Sequence, residues 1–336
     1  MNCLLWIVVF LRKESCADCA KCIKLITIKM DRKLILVIGS SNTDMSVKSV
    51  HLPRPGETVL GDGFRMGQGG KGANQAVAAR KLDGAVAFVC KVGNDVFGKN
   101  AVGHYSECGI DTSHILYSDK PSGVALITVD DNAENAIVVA SGANADITVN
   151  DIDGMADLIR SAGILLLQLE IPVAAVTRAA SIAREAGVMV VLNPAPAAEL
   201  PEELLKCVDV LIPNEAEASA LTGIDIENEE DAAKAADALK SEGVGSVIIT
   251  MGSSGSFVSG KDSFKVPARK VKAVDTVAAG DTFCGALCVA LAEGMSLADS
   301  VEFATAASSI SVQRHGAQES VPSREEVKAL MSRNLQ

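Results

Sequence analysis

The sequence carries no run of basic residues, and its formal net charge is −11. An acidic chain without a basic patch is a poor partner for nucleic acid or an anionic membrane. Any anionic substrate must then be held locally, by backbone N–H groups, a metal or a few Lys and Arg side chains. Long hydrophobic runs are also missing. The longest near the N-terminus, Leu4 to Leu11, has eight residues, against the roughly 20 that a membrane-spanning helix needs. No basic residue precedes it and no cleavage site follows, which argues against export and for a cytoplasmic enzyme. Internal repeats and low-complexity linkers are absent. Aromatics are few (one Trp, two Tyr and eight Phe), whereas Gly numbers 28 and hydrophobic residues make up 48% of the 336. That composition suffices for one large α/β core and a small accessory domain.

Nine cysteines are an odd number, and Cys3, Cys16, Cys19 and Cys22 crowd the start of the chain. Cys16-x-x-Cys19-x-x-Cys22 has the spacing of metal ligands, but zinc wants four and Cys3 is distant, so no metal site is expected there. Cys90, Cys108, Cys207, Cys284 and Cys288 stand in apolar contexts and read as reduced core thiols. Residues 1–29 fit no domain, and a patterned sequence begins just after Met30. They are expected to be an extension from an upstream start codon, outside a single domain spanning residues 30–336.

From Lys33 onward, short apolar runs alternate with helical periods. Leu34 to Ile38, Ile164 to Leu167, Val188 to Leu192, Val208 to Ile212 and Val247 to Ile249 read as buried strands. Val173 to Glu185, Glu229 to Glu242, Leu297 to Val312 and Arg324 to Met331 read as helices. Alternation of this kind gives a mostly parallel sheet between two helical layers, a three-layer αβα sandwich. Two stretches break it. Residues 43–66 are rich in Pro and Gly, and residues 120–140 read as a β-hairpin, Gly123 to Val129 and Ala136 to Ala140 around Asp130-Asp-Asn132.

Polar residues gather at the carboxyl ends of the strands, where open α/β sheets bind ligands. Asn42 and Asp44 follow the first strand; Glu170, Asn193, Asn214 with Glu217, and Thr250 with Gly252 follow later ones. A turn or cap accounts for any one of them; five successive strand ends point to a site. Residues 275–283, Asp-Thr-Val-Ala-Ala-Gly-Asp-Thr-Phe, run straight into the helical pattern Phe283, Ala286, Leu287, Ala290, Leu291. Small residues at a helix start leave backbone N–H groups free to face an anion. A carboxylate beside them, Asp281, suits a base taking a proton from a hydroxyl. A capped helix with a flexible entry reads from the same residues.

The segment Asp-Thr-x-Ala-Ala-Gly-Asp-Thr-Phe resembles the C-terminal signature of the ribokinase-like carbohydrate kinases, the PfkB family. Residues 69–76, Gly-Gly-Lys-Gly-Ala-Asn-Gln-Ala, are similar to its N-terminal sugar-binding signature. The resemblance covers residues 33 to 330. It implies a Rossmann-like fold in which segments near 43–66 and 120–140 form a small β-sheet lid and a homodimer interface. The implied reaction is ATP-dependent phosphorylation of ribose at O5, with Asp281 as base and Ala278, Ala279 and Gly280 as anion hole. The implied sugar contacts are Asn42, Asp44, Gly70, Lys71, Asn74 and Glu170, and the ATP contacts Asn214, Thr250, Gly252, Gly255, Gly280 and Thr305. Magnesium is implied at Asn214 and Glu217 through water. Potassium is implied at Asp275, Val277, Ser311, Arg314, Gly316 and Ser320, largely through main-chain oxygens.

The run Gly-Lys-Gly-Ala before Asn74, with Gln75 after it, is closer to the ribose kinases of the family than to its fructose or adenosine kinases. Asp83-Gly84 and Val277 depart from the usual pattern without removing a named group. Gly70-Lys71 is not a Walker A site, because Gly72 stands where Ser or Thr must meet the magnesium. A dinucleotide oxidoreductase would need Gly-x-Gly-x-x-Gly after the first strand, which Gly39-Ser-Ser-Asn42 lacks. Two alternatives stay open: a kinase for deoxyribose, another pentose, a nucleoside or a sugar phosphate, and a non-catalytic sugar-binding regulator.

Overall fold

A computed structural model describes residues 33–132 and 134–332. The extension at residues 1–29, with its four cysteines, lies outside the described residues. In chain order the strands are β1 (Ile35–Ile38), β2 (Asn42–Lys48), β3 (Asp62–Gly69), β4 (Val86–Val89), β5 (Lys91–Gly93), β6 (Leu116–Ser118), β7 (Gly123–Val129), β8 (Asn135–Ala140), β9 (Ile164–Leu167), β10 (Met189–Leu192), β11 (Val210–Leu211), β12 (Ser246–Thr250), β13 (Ser256–Ser259) and β14 (Ser263–Val266). The α-helices are α1 (Lys71–Lys81), α2 (Val96–Glu107), α3 (Val149–Gly154), α4 (Ala156–Ser161), α5 (Val173–Glu185), α6 (Glu202–Leu205), α7 (Glu215–Thr222), α8 (Glu229–Ser241), α9 (Ala279–Ala292), α10 (Leu297–Ser311) and α11 (Arg324–Ser332).

The large sheet has the order β14-β13-β12-β11-β10-β9-β1-β4. Its strands from β4 to β12 are parallel, and β13 and β14 close one edge antiparallel. Central strands β1 and β9 are buried along their whole length, because helices cover both faces of the sheet. Side chains alternate across a strand. Ile35 and Val37 accordingly enter a core with residues of α1, α9 and α10, while Leu36 and Ile38 enter another with residues of α5 and α8. Truncating one of these fully buried residues, such as Leu166→Ala, costs about 2–5 kcal/mol.

Small residues set how closely α1 and α9 pack. A Cβ on Gly285 would lie 2.7 Å from the Gln75 carbonyl oxygen and 2.8 Å from the Ala78 Cβ. Only glycine lets α9 approach α1 this far, and the approach brings Asn74 and Gln75 against Asp281. A second sheet, β3-β2-β7-β8, forms the expected lid. Strands β7 and β8 make the hairpin read from the sequence, its turn held by Asp130, whose Oδ1 accepts the Asn132 and Glu134 N–H groups. Register places Met66, Met45, Leu126 and Val138 in one row across the four strands. Asp44 neighbours Met45 in the strand and faces the opposite side of the lid.

Candidate active site

The turn into α9 is built without a side-chain cap. Asp275 Oδ1 accepts the Val277 N–H at 3.0 Å, and Ala278 takes a left-handed conformation, φ 56°, which is uncommon for a residue with a side chain. Asp281 does not cap the helix. It is 6% exposed, and its oxygens turn to α1: Oδ2 accepts Asn74 Nδ2 and Oδ1 accepts Gln75 Nε2, each at 2.9 Å.

The first helical bond of α9 runs from the Thr282 N–H to the Ala278 carbonyl, at 2.8 Å. The N–H groups of Gly280 and Asp281 precede it and have no partner inside the helix. The three residues expected to form the anion hole, Ala278, Ala279 and Gly280, differ in how their N–H groups stand. The Ala279 N–H bends back to the Thr276 carbonyl at 3.2 Å, because the left-handed residue before it tightens the turn, so this group is engaged. Space over Gly280 is open, with nothing within 4 Å of where a Cβ would stand.

The proposed sugar contacts converge beside Asp281. Glu170 Oε2 accepts the Lys71 N–H at 2.9 Å and Ser40 Oγ at 2.5 Å, tying the end of β9 to the start of α1. Asn42 Oδ1 accepts Asn144 Nδ2 at 2.7 Å. The glycines permit this crowding. A Cβ on Gly69 would lie 2.1 Å from Asp44 Oδ2, one on Gly70 2.8 Å from the Asn42 nitrogen, and one on Gly72 2.5 Å from the Ser40 nitrogen. Burial first, then Glu170, Asp281 and Glu319, raises the Asp44 carboxyl to about 7. Lys71 shows the opposite balance. Burial works against its ammonium, yet the surrounding carboxylates Asp281, Glu170 and Glu217 together hold its pKa above the ordinary value.

A cleft of about 200 Å³ joins Lys71, Asn193, Asn214, Glu217, Thr250 and Ala278 to Asp281. A larger cavity, about 520 Å³, is lined mainly by Ala and Leu side chains and shares no residue with it. Asn214 and Glu217 form a capping box at the start of α7, with Asn214 Oδ1 accepting the Glu217 N–H at 2.8 Å and Glu217 Oε2 accepting the Asn214 N–H at 2.9 Å. Glu217 keeps Oε1 outside that box, and burial foremost raises its pKa. Gly252 and Gly255 shape the tight β12–β13 connection, both at positive φ; neither lines the cleft. Thr305 lies on α10, also outside the cleft lining, with its Oγ1 buried and without a hydrogen-bond partner.

The two segments expected to share potassium do meet. Asp275 Oδ2 accepts the Gly316 N–H at 3.0 Å, and the Val274 N–H reaches the Val312 carbonyl at 2.7 Å. Ser311 and Ser320 pair through their hydroxyls at 2.8 Å. Arg314 directs its guanidinium to Glu326, leaving only main-chain atoms for the role expected of it.

Sequence reasoning named Asn74, Gln75 and Asn193 but missed Gln168 and Gln318, which complete the amide network behind Asp281. Gln168 Nε2 donates to Gln75 Oε1 at 2.6 Å, Gln75 Nε2 to Asn193 Oδ1 at 3.0 Å, and Gln318 Nε2 to Asn74 Oδ1 at 3.0 Å. All are buried. Their one signal is Gln at positions next to strand ends or loops that the fold buries.

Residues 32–324 match the pfkB family carbohydrate kinase profile. A ribokinase of Haemophilus influenzae is 43% identical over 297 residues, covering 88% of this chain and 97% of its own. The crystal structure of ribokinase from Thermotoga maritima superposes with a TM-score of 0.83 at 39% identity, over 89% of this chain and 99% of that one. The structure of Arabidopsis thaliana ribokinase complexed with ribose and ATP also gives 0.83, at 34% identity and over 90% and 99%. The fold, the signatures and these similarities agree, and the chain belongs to the pfkB family of carbohydrate kinases.

Proposed function

We propose that this protein transfers the γ-phosphoryl group of ATP to O5 of ribose. The observation that carries the reading is a buried carboxylate, Asp281, beside helix-terminal N–H groups in a cleft shared with Lys71, Asn214, Glu217 and Thr250. Relatives named ribokinase at about this similarity, one of them with ribose and ATP, support the choice of substrates. In the reaction the O5 lone pair forms the new P–O bond as the bond from γ-phosphorus to the ADP oxygen breaks. The O5 proton passes to Asp281. Such transfers have a loose transition state, so positioning and charge stabilisation carry more of the barrier than proton removal. The N–H groups of Gly280 and Asp281 serve that stabilisation, and the Lys71 ammonium adds charge.

Asn42, Asp44, Gly70, Lys71, Asn74 and Glu170 are proposed to hold the sugar hydroxyls. Thr250, Gly252, Gly255 and Thr305 are assigned to the nucleotide. Asn214 and Glu217 offer the oxygen donors that a hard, hydrated cation prefers, and Glu217 Oε1 is spare. Magnesium held there through water would neutralise phosphate charge. Potassium is assigned to the loops joined by Asp275, where main-chain oxygens near Val277, Ser311, Arg314, Gly316 and Ser320 would hold it and stiffen the entry to α9. Five free thiols among the described residues suit a reducing cytoplasm. Among those residues no helix is long and apolar enough to cross a membrane.

The deciding experiment is ADP release coupled to a reporter enzyme, run over ribose, deoxyribose, other pentoses, a nucleoside and a sugar phosphate. Each is tested in potassium and in sodium at matched ionic strength. Ribose is expected to give the highest kcat/KM, with potassium above sodium. Ribose binding without ADP release would replace the reading by a non-catalytic regulator, and preference for another sugar would reassign the substrate.

A further inference from the structure

The two amide arms that hold Asp281 end differently. On one, Gln75 donates to Asp281 and to Asn193 Oδ1, and Asn193 Nδ2 donates to the Ile212 carbonyl at 2.9 Å. One branch of that arm ends on main chain, which cannot change its sense, and the other on Gln168, whose Nε2 donates to Gln75 Oε1 at 2.6 Å. On the other, Asn74 Nδ2 meets Asp281, Gln318 Nε2 meets Asn74 Oδ1, and His104 Nε2 lies 2.8 Å from Gln318 Oε1. This arm ends on an imidazole of α2, a helix that contributes no group to the cleft; the same Nε2 also stands 3.6 Å from Cys108 Sγ. Lys81 Nζ holds the main-chain carbonyl of Gln318 at 2.6 Å, and Gln318 itself is 1% exposed.

The direction of this arm follows from one fixed end. A carboxylate only accepts, so Asn74 must turn its NH2 to Asp281 and its oxygen to Gln318. Gln318 must then turn its NH2 to Asn74 and its oxygen to His104. The His104 ring must carry a proton on Nε2. Reversing either amide sets oxygen against oxygen, and moving the ring proton to Nδ1 sets a nitrogen lone pair against the Gln318 oxygen, in a place where an unmatched polar contact is most costly.

We propose that Gln318, oriented by His104, is a positioning residue for phosphoryl transfer: it keeps the Asn74 amide turned so that its NH2 holds Asp281. The inference rests on Asp281 acting as base, and it adds to that reading a control point in the loop between α10 and α11. Loss of the lock lets Asn74 turn, and Asp281 shifts relative to the hydroxyl it serves.

The test compares four variants by steady-state kinetics and by the 15N spectrum of the imidazoles, which is sparse because the chain has only four histidines. Gln318→Met keeps the volume and removes both amide bonds; kcat is expected to fall about 10-fold, with KM for ATP unchanged. Gln318→Glu should fall further, because an accept-only side chain demands the Asn74 NH2 for itself. His104→Gln still supplies an N–H and should keep the wild-type rate, whereas His104→Leu should resemble Gln318→Met. The spectrum of substrate-free wild type, at a pH where the ring is neutral, should show His104 protonated on Nε2. Wild-type kcat in both Gln318 variants, losses that merely track the folded fraction, or a proton on Nδ1 would each overturn the proposal. The tautomer is read without substrate, so it can fail while the kinase reading stands; the kinase reading fails instead if wild type releases no ADP with ribose.

Discussion

Asp281 and Asp44 are neighbouring carboxylates with different surroundings, and the difference separates their roles. Asp281, the proposed base, accepts an amide N–H on each oxygen. Asp281→Asn removes the proton acceptor, keeps the size and sets its NH2 against one of the two amide donors, so turnover is expected to fall roughly 100-fold or more, with ATP binding kept within a few-fold. Near wild-type turnover would remove Asp281 from its role. Asp44 lacks such donors, and burial lifts its carboxyl from 3.8 to about 7. The unfolded chain ionises it near the lower value. Between the two values the folded state binds the extra proton, so stability contributed at Asp44 is greatest below about pH 4 and declines as pH rises to about 7. Asp44→Asn should therefore melt above wild type at pH 8, by an advantage that shrinks toward pH 4. Equal differences at both pH values would show that Asp44 does not titrate in this window.

At the level of elements, the end of β1 and the start of α1 touch backbone to backbone. A Cβ on Gly72 would stand 2.5 Å from the Ser40 nitrogen and 2.6 Å from the Gly39 carbonyl carbon, and main chain cannot step aside as a side chain can. Gly72→Ala is expected to destabilise the fold by about 1–3 kcal/mol, seen in the urea midpoint, and to lower kcat/KM with it. Gly280→Ala is the contrast. Its methyl meets no atom within 4 Å, so stability should hold while phosphoryl transfer drops, because the methyl occupies the approach to the α9 N–H groups. A loss of stability in Gly280→Ala would place Gly280 in the scaffold instead.

These elements were largely legible in the sequence. Val173–Glu185 is the helix its periodicity gives, and the lid hairpin stands where the turn residues put it. Val208 to Ile212 narrows to Val210–Leu211, and the antiparallel edge strands β13 and β14 escaped notice because Ser, Phe and Lys at a sheet edge show no apolar run. The backing of Asp281 was illegible for another reason. Its bonds join residues 93 to 244 positions apart, and no local pattern marks a Gln that folding will bury.

For the whole molecule, the lid has two unlike faces. Asp44 lies on one, with the proposed sugar contacts and, on edge strand β8, the exposed Ile137 and Val139. The other carries the row Met66, Met45, Leu126 and Val138, three of which are at least 53% exposed, with Phe64 on the same face at 66%. An apolar row across a four-stranded sheet is more than a monomer usually leaves to water. The homodimer interface that the family resemblance implies for the lid would bury this row, since like faces related by a twofold axis cover one another. Light scattering on a sizing column should then give about twice the 34.8 kDa of one chain. Val138→Lys, on the outward side of an edge strand, should yield monomers that keep the melting behaviour of the large sheet. The KM for ribose should rise in the same variant, because Asp44 sits on β2 in the sheet that dimerisation would brace. A monomeric wild type at tens of micromolar, or a Val138→Lys dimer, would exclude this face as the interface.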